Sequence, residues 1–161
     1  AGKGLTRIGP LNKRARETTN FKNCISALTH QGLDIEATEN IWQALWEKLA
    51  INCAINPFTA ILNCPNGDII HSDLFKDNWR ELKTELTEML NTAGFEITSI
   101  ELEKRVFKVI ENTQSNISSM LQDVRAKRKT EIEAINGFAM KYLEDNSLKN
   151  SINTLLCKKL S

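Results

Sequence analysis

The spacing of apolar residues changes early in the chain. Residues 5–10, LTRIGP, alternate apolar and polar positions and stop at Gly-Pro, which reads as a short strand. A basic loop follows. Residues 18–32 then offer Thr and Asn as cap candidates and Gly32 as a stop, which predicts a helix. Residues 33–37, LDIEA, fit a second short strand. This β-α-β opening is too small for a domain of its own, because its sheet would lack partner strands.

Beyond residue 37 the pattern is helical. Residues 38–63 predict one long helix with a break or kink near Pro57, because the ring clashes with the preceding turn and restrains the residue before it. CPNGD, residues 64–68, has the chemistry of a turn. Trp79, Leu82, Leu86, Met89, Leu90 and Ala93 line one face of a helix stopped by Gly94. Leu102, Val106, Val109, Ile110 and Thr113 line the next. A further helix covers roughly residues 118–125, and TEIE at 130–133 has the capping-box pattern of another start. A last short helix is predicted over 151–158. There is no internal repeat and no low-complexity tract. The expected fold class is mainly α, a helical bundle preceded by a short β-α-β segment.

One line of polar residues interrupts the long apolar helix. Lys48, Asn52 and Asn56 recur at intervals of four, so they stack on one face. Ile41, Leu45, Leu49, Ile51 and Ile55 flank them, with Trp42, Trp46 and Cys53 nearby. A helix apolar almost all round is expected to be buried, and buried polar groups require partners. The stripe is therefore expected to face a water-lined cleft or a ligand; a helix with one solvated face fits the same spacing. Asparagine is a poor helix former that a merely solvated face does not require. Its amide offers fixed donors and acceptors to hydroxyls and carboxylates. A lysine drawn partly out of water donates a proton more readily near neutral pH. Together these groups suit a small oxygen-rich anion such as a keto acid being reduced.

Composition narrows the classes. The chain has 161 residues, enough for one ordinary domain or one domain with a fragment of another. A hydrophobic fraction of 41% with 25% charged residues describes a soluble globular protein. The net charge of +1, from 21 basic and 20 acidic residues, implies neither a nucleic-acid nor a membrane partner. Cys24, Cys53, Cys64 and Cys157 form no CxxC pair, which favours reduced thiols and a cytoplasmic location. No apolar run approaches the ~20 residues of a membrane span, and no secretory signal is evident. The chain opens on Ala1 without an initiator Met, as a processed product or a fragment would.

Other candidates are weaker. Arg125, Lys127, Arg128 and Lys129 read as a solvated loop or helix end, with contact to an anionic ligand as the alternative. His30 and His71 have no Cys or carboxylate at ligand spacing, so no metal is expected. Trp42, Trp46 and Trp79 are expected in the core, and Cys53 as a small buried hydrophobe. Gln122 and Asp123 are expected to hold the turn between helices.

Two segments carry a family resemblance. WEKLAINCAINPFTAILNCPNG, residues 46–67, and NISSMLQDVRAKRKTEIEAINGF, residues 116–138, resemble the signature runs of the ketopantoate (2-dehydropantoate 2-) reductases, in the same order. The resemblance extends from residue 4 to about residue 140; beyond that, SLKNSINTL departs from the family's Gly-Ile…Pro-x-N pattern. It implies a 6-phosphogluconate-dehydrogenase-like helical bundle over residues 37–161, with 1–36 as a remnant of an NADP-binding Rossmann domain. Lys48 then corresponds to the catalytic proton donor. Asn52, Asn56, Asn66, Asn116 and Ser119 correspond to substrate-binding residues, Glu131 to the cofactor end of the cleft, and Arg128 to a position of the second run.

The implied activity is NADPH-dependent reduction of 2-dehydropantoate to pantoate, in pantothenate and coenzyme A biosynthesis. The implied partner is a small-molecule substrate, and monomer and homodimer are both compatible with the sequence. The family's G-x-G-x-x-G turn has no counterpart at Gly2 and Gly4, so NADP would be held mainly by a domain this chain lacks, leaving the fragment inactive alone. A related 2-keto acid reductase and a non-catalytic helical interaction module remain alternatives.

Overall fold

The computed structural model describes residues 6–16, 19–30, 32 and 34–160; the parts of the expectations above that fall on residues 1–5, 17, 18, 31, 33 and 161 lie outside them. The chain divides into two units, residues 1–47 and 48–161, and the division falls inside one helix.

The first unit is the expected β-α-β. Strands β1 (Thr6–Ile8) and β2 (Ile35–Ala37) are parallel, with Arg7 opposite Glu36. Their side chains form an ion pair, Arg7 Nε to Glu36 Oε2, at 2.7 Å. Between them run α1 (Lys13–Arg16) and α2 (Thr19–His30). The basic loop expected after β1 thus contains a helical turn, whose start is held by Asn12 Oδ1 accepting from Ala15 N. Gly32, at φ +79°, follows α2, a conformation that glycine adopts without steric cost.

Helix α3 (Ile41–Leu62) crosses the division and runs through Pro57 unbroken, against the expected interruption. The physical reason is a substitute hydrogen bond. Pro57 has no N–H for the carbonyl of Cys53, and Asn136 Nδ2 donates to that oxygen instead, at 3.2 Å. The helix is also less buried at its start than its composition predicts. Trp42 is 49% exposed, its indole N–H donating to the Leu11 carbonyl, and Leu45 is exposed as well. Trp46 is half-buried. Only residues 53–60 form a continuous buried run, and Cys53 lies in it as expected.

The second unit is all helical. After α3 come a 3-10 turn (Asn66–His71), α4 (Asp73–Thr92), α5 (Ser99–Asn112), α6 (Ser119–Arg125), a π turn (Glu133–Gly137), α7 (Phe138–Asp145) and α8 (Ser151–Leu160). Helix α4 is central, packing against the 3-10 turn, α5, α7 and α8. Its buried positions Phe75, Trp79, Leu82, Leu86, Met89 and Leu90 follow the helical period. Phe75 stacks on Trp79 with centroids 5.2 Å apart and meets Phe58 of α3 edge-on at 5.1 Å. Each such large side chain contributes roughly 1.5–3 kcal/mol by leaving water. Gly94, at φ +87°, ends α4 as predicted.

The caps differ from expectation. The capping box lies at Thr98 and Glu101, where it starts α5. At the predicted site a helix does begin, but without the box: Thr130 accepts from Ile132 N at 3.4 Å, and the first turn is the π turn that leads into α7.

Candidate functional site

The stripe on α3 runs from solvent into the core. Lys48 is exposed, Asn52 is half-buried and Asn56 is 8% exposed. At 1.5 Å of rise per residue, successive members lie about 6 Å apart along the axis. The lysine expected to be partly desolvated is thus the outermost member, and the desolvated end belongs to the asparagines.

Two hydroxyls fix the buried end. Thr59 Oγ1 donates to the Asn56 carbonyl at 2.7 Å and lies 2.6 Å from Ser118 Oγ. Because the Thr59 proton is committed to that carbonyl, the Ser118 hydroxyl is the donor in the second bond. Ser118 Oγ also accepts from Leu121 N at 3.1 Å and so caps α6. The next residue, exposed Ser119, is the first of that helix.

A second set of bonds pins the 3-10 turn. Asn66 N donates to the Asn116 carbonyl at 3.0 Å and Gly67 N to the Gln114 carbonyl at 2.9 Å. Asn66 Nδ2 donates to Thr113 Oγ1 at 2.9 Å, and that hydroxyl passes its proton to the Val109 carbonyl. Asn66 is buried, and its Oδ1 finds no hydrogen-bond partner among the described residues. Asn116 is exposed. Burial, with the nearby Asp68 charge adding, pushes the neighbouring Cys64 thiol upward.

Hydrogen bonds therefore tie the backbone of Asn56 to the residue before Ser119, and Asn66 to Asn116. Lys48 and Asn52 join them by helical register. Glu131 is exposed, and no bond among the described residues links it to the others; its carbonyl accepts from Ala134 and Ile135 N. The basic run is largely structural: Arg125 Nε holds Asn63 Oδ1 at 2.9 Å, and Arg128 grips Asp123 Oδ1 through two nitrogens. Asp123 and Gln122 hold the turn as expected, Gln122 Nε2 donating to the Ile117 carbonyl. Among the described residues, no group of His, Cys, Asp and Glu is arranged to hold a metal ion.

The sequence pattern singles out none of Thr59, Ser118 and Asn136 for the site, and it places Thr113 only on the apolar face of α5. A signal for Ser118 existed, since Ser directly before a helix predicts a cap. Thr59, Thr113 and Asn136 act on partners distant in sequence, which spacing does not reveal.

The family model described as ketopantoate reductase PanE/ApbA, C terminal, matches residues 40–161. The chain belongs to the ketopantoate reductase family. The match continues to residue 161, past the point near residue 140 where the signature resemblance stops. Among its relatives, the 2-dehydropantoate 2-reductase of Shigella flexneri is 36% identical over 153 residues, covering 95% of this chain and 48% of that protein. The enzyme of the same name from Salmonella typhi is 40% identical over 139 residues, covering 86% and 44%. The chain thus spans about half the length of the curated relatives it matches.

Solved structures share the fold. A PanE/ApbA family ketopantoate reductase from Ralstonia eutropha JMP134 superposes with a TM-score of 0.86 at 23% identity, covering 99% of this chain and 51% of that one. A D-mandelate dehydrogenase solved with NADH and anilino(oxo)acetate gives 0.87 at 18% identity, covering 99% and 66%. No helix among the described residues is long and apolar enough to cross a membrane.

Proposed function

We propose that this chain is the substrate-binding and proton-donating part of a reductase that converts 2-dehydropantoate to pantoate with NADPH, a cytoplasmic step toward pantothenate and coenzyme A. In this reading residues 37–161 are the substrate domain and 1–36 belong to the nucleotide-binding part. The observation that carries it is the gradient along α3, from exposed Lys48 to buried Asn56, ending at the hydroxyl pair that precedes Ser119. Such a surface offers one exposed cation, several amides and a hydroxyl to a small anion.

The roles follow from chemistry. Lys48 Nζ protonates the keto oxygen and stabilises its developing negative charge. Asn52, Asn56, Asn66 and Asn116 meet the substrate's hydroxyl end, and the Ser119 hydroxyl donates to its carboxylate. The Glu131 carboxylate is exposed and without a side-chain bond among the described residues, an open acceptor that fits a ribose hydroxyl. The nicotinamide cofactor would supply the hydride. The fold does not choose the acid, since a D-mandelate dehydrogenase shares it; the choice rests on the family.

The test is NADPH consumption with 2-dehydropantoate by a protein carrying this chain at the length of its relatives. Lys48→Ala is expected to lower kcat by about 10²–10⁴-fold, the range of a positioned general acid, with circular dichroism unchanged. Absence of turnover by the intact protein would overturn the assignment. NADH run in parallel reads the cofactor choice.

A further inference from the structure

Pro57 leaves a vacancy in α3 that a distant side chain fills. In an unbroken helix the Cys53 carbonyl would accept from the N–H of residue 57, which proline lacks. Cys53 is fully buried, so bulk water does not reach its carbonyl. Asn136, also fully buried, donates Nδ2 to it at 3.2 Å.

The same Nδ2 donates its other proton to Asn153 Oδ1 at 3.0 Å. Asn153 Nδ2 in turn donates to Glu85 Oε2 at 2.7 Å, and Glu85 also accepts from the backbone N–H groups of Ile152 and Asn153. Both ends of this buried chain, a peptide carbonyl and the ionised carboxylate of Glu85, only accept. That fixes both amide orientations: neither can flip without setting two acceptors face to face. The π turn (Glu133–Gly137) that carries Asn136 is a form of helix frequent at functional sites. Cys53 directly follows Asn52 and lies three residues before Asn56.

We infer that Asn136 is a positioning residue for the polar stripe: its amide replaces the hydrogen bond that Pro57 removes and so holds α3 in register between Asn52 and Asn56. Asn136 acts through the backbone of Cys53 and touches no substrate. This rests on the reading that the stripe binds the keto acid.

The test is a cycle of Asn136→Ala and Pro57→Ala in the protein at the length of its relatives. In the Pro57 background, Asn136→Ala is expected to lower kcat/KM for 2-dehydropantoate by about 10–100-fold, the scale of a displaced binding group, with a raised KM. Pro57→Ala returns an N–H to the Cys53 carbonyl, so the kinetic effect of Asn136→Ala shrinks severalfold in that background. The loss of Tm shrinks there too but does not vanish, because the Cys53 carbonyl regains a donor while Asn153 Oδ1 stays unpaired. Equal kinetic losses in the two backgrounds, or a lowered Tm with kcat and KM unmoved, would overturn the inference.

Should Asn136→Ala not fold alone, recovery of folding by the added Pro57→Ala reads the same coupling, and no recovery overturns it. Side-chain amide NMR of Asn52 and Asn56 separates this inference from the assignment of substrate. Their signals are expected to move in Asn136→Ala but not when Pro57→Ala is also present, whether or not the intact protein turns over 2-dehydropantoate. Unmoved signals would overturn the positioning role alone.

Discussion

The hydroxyls of Thr59 and Ser118 meet at 2.6 Å although 59 residues separate them in sequence. Thr59 is fully buried and also holds the Asn56 carbonyl. Thr59→Val keeps the shape and deletes the hydroxyl, removing a second bond from that carbonyl and leaving the Ser118 proton without its partner. The expected cost is about 1–3 kcal/mol, read as a lower urea midpoint at an unchanged slope. Thr59→Ser is expected to recover most of it. A Thr59→Val midpoint equal to the parent's would mean that the pair adds nothing.

Gly67 sits where the 3-10 turn touches the turn that follows α5. A Cβ there would come within 2.8 Å of Gln114 Cβ and 3.1 Å of its Cα and carbonyl oxygen. The backbone cannot step aside, because Gly67 N is bonded to that carbonyl. Gly67→Ala is expected to destabilise by about 1–3 kcal/mol and to shift Asn66 away from Asn116. The check is backbone amide exchange at residues 66 and 67, which should accelerate relative to the rest of the second unit.

Glu85 is a buried carboxylate whose pKa is raised, by burial above all and by the nearby Glu81 charge, against three bonds that favour the ionised form. The native state therefore holds this proton more tightly than the unfolded chain. The stabilisation is complete below the ordinary value of 4.5 and is lost as pH rises through the raised one. Glu101 and Glu103, whose values are lowered by bonds from Thr98 and Lys83 respectively, act oppositely and weaken the fold as pH falls. Urea titrations of the parent and Glu85→Gln between about pH 4 and pH 8 isolate the Glu85 contribution. The parent's advantage should shrink as pH rises from the acid end, and a constant difference would contradict it.

None of the four thiols is in a disulfide, and they differ in access. Burial, with Cys157 adding, pushes the Cys53 thiol far above its ordinary 9.0, and burial with Glu133 adding pushes Cys157 up to about 11. Only the thiolate reacts. A pulse of iodoacetamide near neutral pH is expected to label exposed Cys24 first and Cys64 more slowly. Cys53 and Cys157 should be labelled only after denaturant is added. Mass spectrometry of the digested protein reads this order, and early labelling of Cys53 would show that α3 opens locally.

Much of the helical architecture was legible because burial leaves a period. The α4 face from Trp79 to Leu90 and the stop at Gly94 follow from spacing and from the conformational freedom of glycine, whereas the burial of Phe75 appears only in the fold. The α3 stripe was legible for the same reason, since four residues return to one face. Spacing did not reveal how deep each member lies. An apolar composition predicts burial along the whole of α3, yet Trp42 and Leu45 are exposed while residues 53–60 are enclosed. Composition states what can be buried, and the neighbouring helices decide what is.

The residue pattern alone carries the helical class, the polar line of Lys48, Asn52 and Asn56, and the two signature segments that resemble the family. Tertiary structure alone decided that α3 passes through Pro57, because the Cys53 carbonyl takes its bond from Asn136, far along the chain. It likewise decided that Thr59 meets Ser118 and that Asn66 meets Asn116. Local pattern encodes the preferences of a segment for water and for backbone geometry, whereas the partner of a buried polar atom depends on which distant segment folds against it.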